Sequence, residues 1–189
     1  MQQFFGPLFH VAGTNAKFWR DLVVYLAIAG AVAPIRPVEA PAADTRGGAM
    51  GGWRLLRTPN PQGGREAISM SHTADMTRSD LDLAGMMLKC GQHGPEIVIV
   101  ALTPLPPRAG PEVTISALGK EWRFAASVVP PGAELLLPGD ATHLAAGPWQ
   151  SAHELSVRVR SKEQSFAGII PIDGLAAALA TLSANCPVG

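Results

Sequence analysis

Charge is scarce in this chain, and neither sign prevails. Its 189 residues carry 15 Lys and Arg against 15 Asp and Glu, so the formal net charge is zero. No net field gathers nucleic acid or an acidic surface, and no nucleic-acid partner is expected. Aromatic residues are few, at 6% of the chain, whereas Gly and Pro number 20 and 17. That balance favours short strands and many turns over long helices. The chain also lacks a Gly-rich phosphate loop, a G-x-S-x-G elbow, a C-x-x-C pair, H-x-H and H-E-x-x-H. On these absences no catalytic residue, no cofactor and no metal ligand set is assigned.

Nor is there an apolar run long enough to span a bilayer without strain. Leu22–Ile35 extends over about 14 residues and contains Pro34, against the roughly 20 that a spanning helix needs. Lys17 and Arg20 precede the run, and Arg36, Pro37 and the small residues from Val38 to Ala43 follow it. This is the order of a secretory signal peptide. Cleavage is expected after Ala42, with Ala40 and Ala42 as the A-x-A pair, because cleavage after Ala40 leaves Pro41 first. Asp21 in the long leading segment fits this reading least well. The competing reading is a retained membrane anchor, the one route by which membrane contact is expected. No cysteine follows the run, which argues against a lipoprotein. The expected organisation is a signal peptide over 1–42, a flexible linker over 43–52 and a β-rich domain over 53–189, in the periplasm or secreted.

The stretch that organises the domain is Ala84–Leu102, AGMMLKCGQHGPEIVIVAL. It reads as two apolar strands, Met86–Cys90 and Glu96–Leu102, around a polar turn. The second is rich in β-branched residues and is expected to be buried on both faces. Cys90 ends the first strand, and the only other cysteine is Cys186. In an exported protein two cysteines most simply form one bond, Cys90–Cys186.

Around this centre, Trp53–Arg57 and Ala67–His72 read as a hairpin across the turn Thr58–Gly64. Thr77–Asp82 reads as a helical turn capped by Ser79. Glu112–Ala117 and Trp122–Val129 form a second hairpin, and Ala133–Leu137 a short strand. Asp140 and Gly147 bound one short helix. His153–Ser161 alternates cleanly, with Leu155, Val157 and Val159 on one face, and pairs with Ser165–Ile172. Asp173 caps a final helix, Gly174–Ala184, whose Leu175, Leu179 and Leu182 share a face. The fold class is mainly β: an antiparallel sandwich or open barrel with one short helix and a C-terminal helix.

Few residues suggest chemistry. His72 has Asp75 near it, His93 has Glu96, and His153 adjoins Glu154. His143 has no such neighbour. Solvated histidines at turns and strand ends are the simpler reading. The alternative is an envelope hydrolase or metalloenzyme built from His72, Asp75, His93 and Glu96. Cys90 with His93 could form a nucleophile pair, but Cys90 is better explained as a bridge. Arg158, Arg160 and Lys162 make a small basic face, open to an anionic envelope polymer. Trp53, Trp122 and Trp149 serve either as core or as a ligand platform. The proline-rich connection Pro104–Pro111 reads as a loop between strands. A third function rests on it: a protease inhibitor or toxin-neutralising protein that presents the loop.

The opening Trp53, the strand Met86–Cys90 with its apolar successor, and the ending Phe166–Cys186 together resemble small exported bacterial proteins. The type is that of invasion-associated locus B and of type VI secretion accessory proteins. The resemblance implies an envelope β-sandwich without known catalytic residues, and it carries no site over to this chain. The expected function is a non-enzymatic binding or accessory module whose partner is an envelope protein or polymer.

Overall fold

The computed structural model describes residues 51–60 and 63–186. The expected leader, its cleavage site after Ala42 and most of the linker lie outside the described residues. Among those described, two antiparallel sheets form a β-sandwich. In chain order the elements are β1 (Arg54–Thr58), β2 (Ala67–Thr73), β3 (Leu83–Gly91), β4 (Gly94–Ala101), β5 (Glu112–Ala117), β6 (Lys120–Ala125), β7 (Ser127–Val129) and β8 (Glu134–Leu136). Then come α1 (Gly139–Ala145), a 3-10 turn (Pro148–Ser151), β9 (Glu154–Arg160), β10 (Ser165–Pro171) and α2 (Leu175–Asn185). The larger sheet runs β1-β2-β3-β4-β8-β7, and the smaller runs β10-β9-β5-β6.

The core follows from strand alternation. Met70, Leu88 and Ile97 lie side by side across the larger sheet, and Met86, Ile99 and Leu135 form the next inward row. The smaller sheet answers with Phe166, Val159, Val113 and Phe124 in one row and Val157 and Ile115 in the next. All of these are buried. β4 is buried on its outer face as well, since Val98 is 0% exposed there. Its cross-strand neighbours are Met87 and Leu136. Lys89 on β3 reaches Glu134 on β8 with Nζ 3.0 Å from Oε2. By the strand register that bridge passes diagonally over Val98. The aliphatic stem of Lys89 thus helps to roof the valine while its head finds a carboxylate.

α2 packs against β2, β3 and β4 of the larger sheet and leaves its other face exposed. Leu175, Ala178, Leu179 and Leu182 are its buried face. Its C-terminal end is tied twice. Cys186 is bonded to Cys90, with Cα atoms 5.4 Å apart, and Arg57 of β1 donates from Nη2 to Asn185 Oδ1 at 3.1 Å.

Four local expectations are corrected. Thr77–Asp82 is not helical. Asp75 N donates to Ile169 O and Asp80 N to Ala167 O, each at 2.8 Å. The Asp80 carboxylate accepts from Ala167 N at 2.7 Å, and the Ser79 hydroxyl from Ile169 N at 2.9 Å. The segment therefore lies along the outer edge of β10 and pairs it, so Ser79 serves that strand and caps no helix. The approach is close because Gly168 has no side chain: a Cβ there would run into Ser79.

The second correction divides Trp122–Val129. At the buried Ala126, whose N–H bonds to Pro111 O at 2.9 Å, the chain leaves the smaller sheet as β6 and enters the larger as β7. Third, Asp140 is not a cap. α1 begins from Pro138 without a side-chain cap, and Asp140 lies in the first turn, favourable to the helix dipole. Fourth, α2 begins from Gly174, again without a side-chain cap. The Asp173 carboxylate is taken by His153 Nδ1, 2.8 Å from its Oδ1. That contact raises the His153 pKa.

The β5–β6 turn, Leu118–Gly119, has positive φ at both residues, 51° and 72°. A two-residue hairpin of this kind asks for Asn-Gly, and leucine in the left-handed region is strained. Leu118 is also more than half exposed. Replacing Leu118 with Asn is expected to stabilise the domain by about 1 kcal/mol. Thermal unfolding should shift upward by a few degrees; no shift would mean that the turn carries no strain.

Candidate functional site

The histidine and carboxylate set proposed from sequence is not assembled. His72 lies on β2 opposite Met86, and its Nδ1 and Nε2 are each 2.9 Å from a backbone carbonyl, of Thr73 and Gly51. Trp53 meets the ring edge-on at 5.3 Å. Asp75 is a structural anchor. Its carboxylate accepts from Thr77 N at 3.0 Å, Thr77 Oγ1 at 2.6 Å and Arg78 Nε at 2.7 Å. Arg78 in turn reaches Glu154 of β9 at 2.8 Å. His93 and Glu96 are at the opposite end of the sheet. The β3–β4 turn that carries His93 lies beyond Gly91, about 17 Å along the strand from Met86. Among the described residues no group of three His, Cys, Asp or Glu side chains is placed to hold a metal ion.

The other sequence candidates separate. Trp53 and Trp149 are buried core, and Trp122 is half-buried against Trp149 at 6.0 Å. Arg158 and Arg160 point outward from β9, with Thr114 and Glu112 as cross-strand neighbours, while Lys162 is exposed in the turn that follows. The Pro104–Pro111 connection is held at both ends. Leu105 is buried and bonded to Gly132 O at 2.9 Å, and Pro111 is buried, while Pro104, Pro106, Pro107, Arg108 and Gly110 are exposed.

Sequence reasoning missed a different feature. The connection 74–82 is pinned to β10 on one side. On the other, Leu102 N donates to Asp82 O at 2.9 Å and Thr103 Oγ1 to Asp82 Oδ1 at 2.5 Å. With its polar groups spent on both flanks, the connection turns Met76 and Leu81 outward. They are 80% and 78% exposed, and Leu102 beside them is 65% exposed. These three line one cleft of about 260 Å³. Ala74, Leu83 and Ala84 line it too, and Thr73, Ser79 and Asp80 form its polar border. Large apolar side chains gathered in the open, rimmed by polar ones, mark an interaction surface more often than a scattered leucine does. The available signal was two isolated apolar residues in an otherwise polar connection.

No family model and no curated protein matches the chain. One solved structure is similar to it. Invasion associated protein B from Bartonella henselae aligns over 70% of this chain and 92% of its own, at 12% identity and a TM-score of 0.45. That protein is of the type resembled by Met86–Cys90 and Phe166–Cys186. Among the described residues no helix is long and apolar enough to cross a membrane.

The wall of the cleft has a predictable acid response. Bonds from Thr77 and Arg78 hold the Asp75 pKa down to about 2. A depressed carboxylate contributes stability above its unfolded value, near 3.8, and loses it as pH falls toward 2. Between pH 4 and 2 the connection 74–82 should therefore loosen from β10 (about the window of those two values). Carboxyl chemical shifts followed by NMR should place the Asp75 midpoint well below 3.8. A midpoint at 3.8 would mean that the anchor does not hold in solution.

Proposed function

We propose that the domain is an exported, non-enzymatic binding or accessory module of the bacterial cell envelope, which holds a partner protein in the Met76–Leu81–Leu102 cleft. The observation that carries the reading is the convergence of three exposed large apolar side chains on one cleft. At about 260 Å³ the cleft is smaller than the roughly 300–1,000 Å³ typical of small-molecule sites. It suits one or two apolar side chains of a protein partner, which is the anchor-in-pocket mode of a protein interface. Export is supported by the signal-peptide pattern of residues 1–42 and by the Cys90–Cys186 bond, a linkage that persists in oxidising compartments.

The test compares two baits in envelope extract: the wild-type chain and a Leu81→Asp/Leu102→Asp variant, with identical circular dichroism as the folding control. A partner retained by the wild type and lost by the variant is the expected result. The same partners on both baits would overturn the cleft as the site.

A further inference from the structure

Among the described residues β6 is the free edge of the smaller sheet. The opposite edge, β10, is paired by the 75–80 connection, but among the described residues β6 has a strand partner only on its β5 side. Glu121, Trp122, Arg123, Phe124 and Ala125 instead line an open groove beside α1. An edge strand with unpaired N–H and C=O groups is a template for another strand. The pattern on this edge indicates which strand fits.

The β5–β6 register fixes the orientation of each residue. Ala117 and Lys120 close a two-residue turn, so they exchange hydrogen bonds, and bonded and non-bonded pairs then alternate along the ladder. Trp122 therefore spends its backbone groups on Ile115. The backbone groups of Glu121 and Arg123 point out at the free edge. Their side chains share the outer face, where Arg123 already donates to Glu121 from Nε at 3.1 Å and from Nη2 at 3.0 Å.

We infer that β6 pairs antiparallel with β6 of a second copy of this chain, about a two-fold axis through Trp122. In that register Glu121 stands opposite Arg123 of the second copy, and Arg123 opposite its Glu121. Both pairs are oppositely charged, and both fall where the free N–H and C=O groups can exchange hydrogen bonds. Trp122 faces its own copy on the inner side. The neighbouring two-fold registers fail on charge: one centred on Glu121 opposes two carboxylates, and one centred on Arg123 opposes two guanidinium groups. A self-complementary patch is what an isologous dimer requires. Joining the two edges makes one continuous eight-stranded sheet from two four-stranded ones.

The contact is small, so the dimer belongs to the weak class and forms at roughly 10 μM to 1 mM protein. Sedimentation of protein expressed from the full 189-residue chain should show a monomer–dimer equilibrium in that range. Glu121→Arg and Arg123→Glu each place like charges opposite one another, and each should weaken the dimer on the order of tenfold or more. Their side chains are 47% and 68% exposed, so both variants should fold. Two further samples should recover association: the double exchange Glu121→Arg/Arg123→Glu, and an equal mixture of the two single variants. Monomer at every concentration would overturn the inference and make these charges a guard against edge pairing. A dimer indifferent to the substitutions, or one not recovered by the exchange and the mixture, would place the interface elsewhere.

Discussion

Replacing Cys186 with serine is expected to lower the stability of the oxidised protein by about 2–5 kcal/mol. The bond closes a chain segment with a sequence separation of 96, and its loss restores to the unfolded chain the freedom of that whole loop. The loss is not felt evenly. α2 is an 11-residue helix with no side-chain N-cap, and a helix of that length is marginal in water without tertiary support. Its leucine face and the Arg57–Asn185 hydrogen bond remain in the variant, but the covalent tie at its C-terminal end does not. α2 should therefore become the first site of proteolysis, while β3 and β4 keep their ladder and stay protected. Chemical denaturation measures the total, and mass mapping of limited digests locates the weak point. Two free thiols in oxidised, folded wild-type protein would remove the basis of the expectation.

Trp149→Ala is expected to cost about 3–5 kcal/mol. Trp149 is 0% exposed. It follows Pro148 in the 3-10 turn between α1 and β9. Trp122 and Phe124 meet it edge-on at 6.0 and 6.4 Å, so truncation both opens a cavity and removes two aromatic contacts. The indole N–H has no hydrogen-bond partner among the described residues. Trp149→Phe loses no such bond, keeps much of the volume, and should cost clearly less than the alanine variant. Equal losses for the two would mean that lost volume and lost aromatic contacts do not set the cost of truncation. Since Trp122 and Phe124 also line the β6 groove, the alanine variant should loosen that groove, whereas Leu118→Asn should not.

Much of the fold is legible in local pattern. The alternation of Leu155, Val157 and Val159 placed β9 with its buried face correct. The near-continuous apolar run in Glu96–Leu102 marked β4 as a core strand buried on both faces or nearly so, and Val98 on the outer face is buried. Two cysteines admit only one intrachain pairing, so Cys90–Cys186 needed no geometry once a bond was assumed.

Elsewhere long-range partners outcompeted local ones. Ser79, Asp140 and Asp173 each look like a helix cap, but Ser79 is taken by β10, 90 residues away, Asp173 by His153, and α1 starts without a side-chain cap. The sheet change at Ala126 leaves no mark in the run Trp122–Val129, because both halves keep strand character and only packing determines which sheet each joins. His72 and His93 read as neighbours in sequence chemistry, yet they sit toward opposite ends of the larger sheet, since strand rise separates what a short list of residues brings together.

The cleft and the free β6 edge belong to the same class of decision. Hydrophobic periodicity, turn residues and the cysteine pair are local properties of the sequence, and by themselves they determined most of the strands, the mainly β class and the covalent tie, with sandwich and open barrel left as alternatives. Exposure is a property of what lies on top. Met76, Leu81 and Leu102 are open because backbone bonds to β10 and β4 turn them outward. β6 is open because the connection that covers the smaller sheet lies along its other edge. Only the tertiary arrangement decided both.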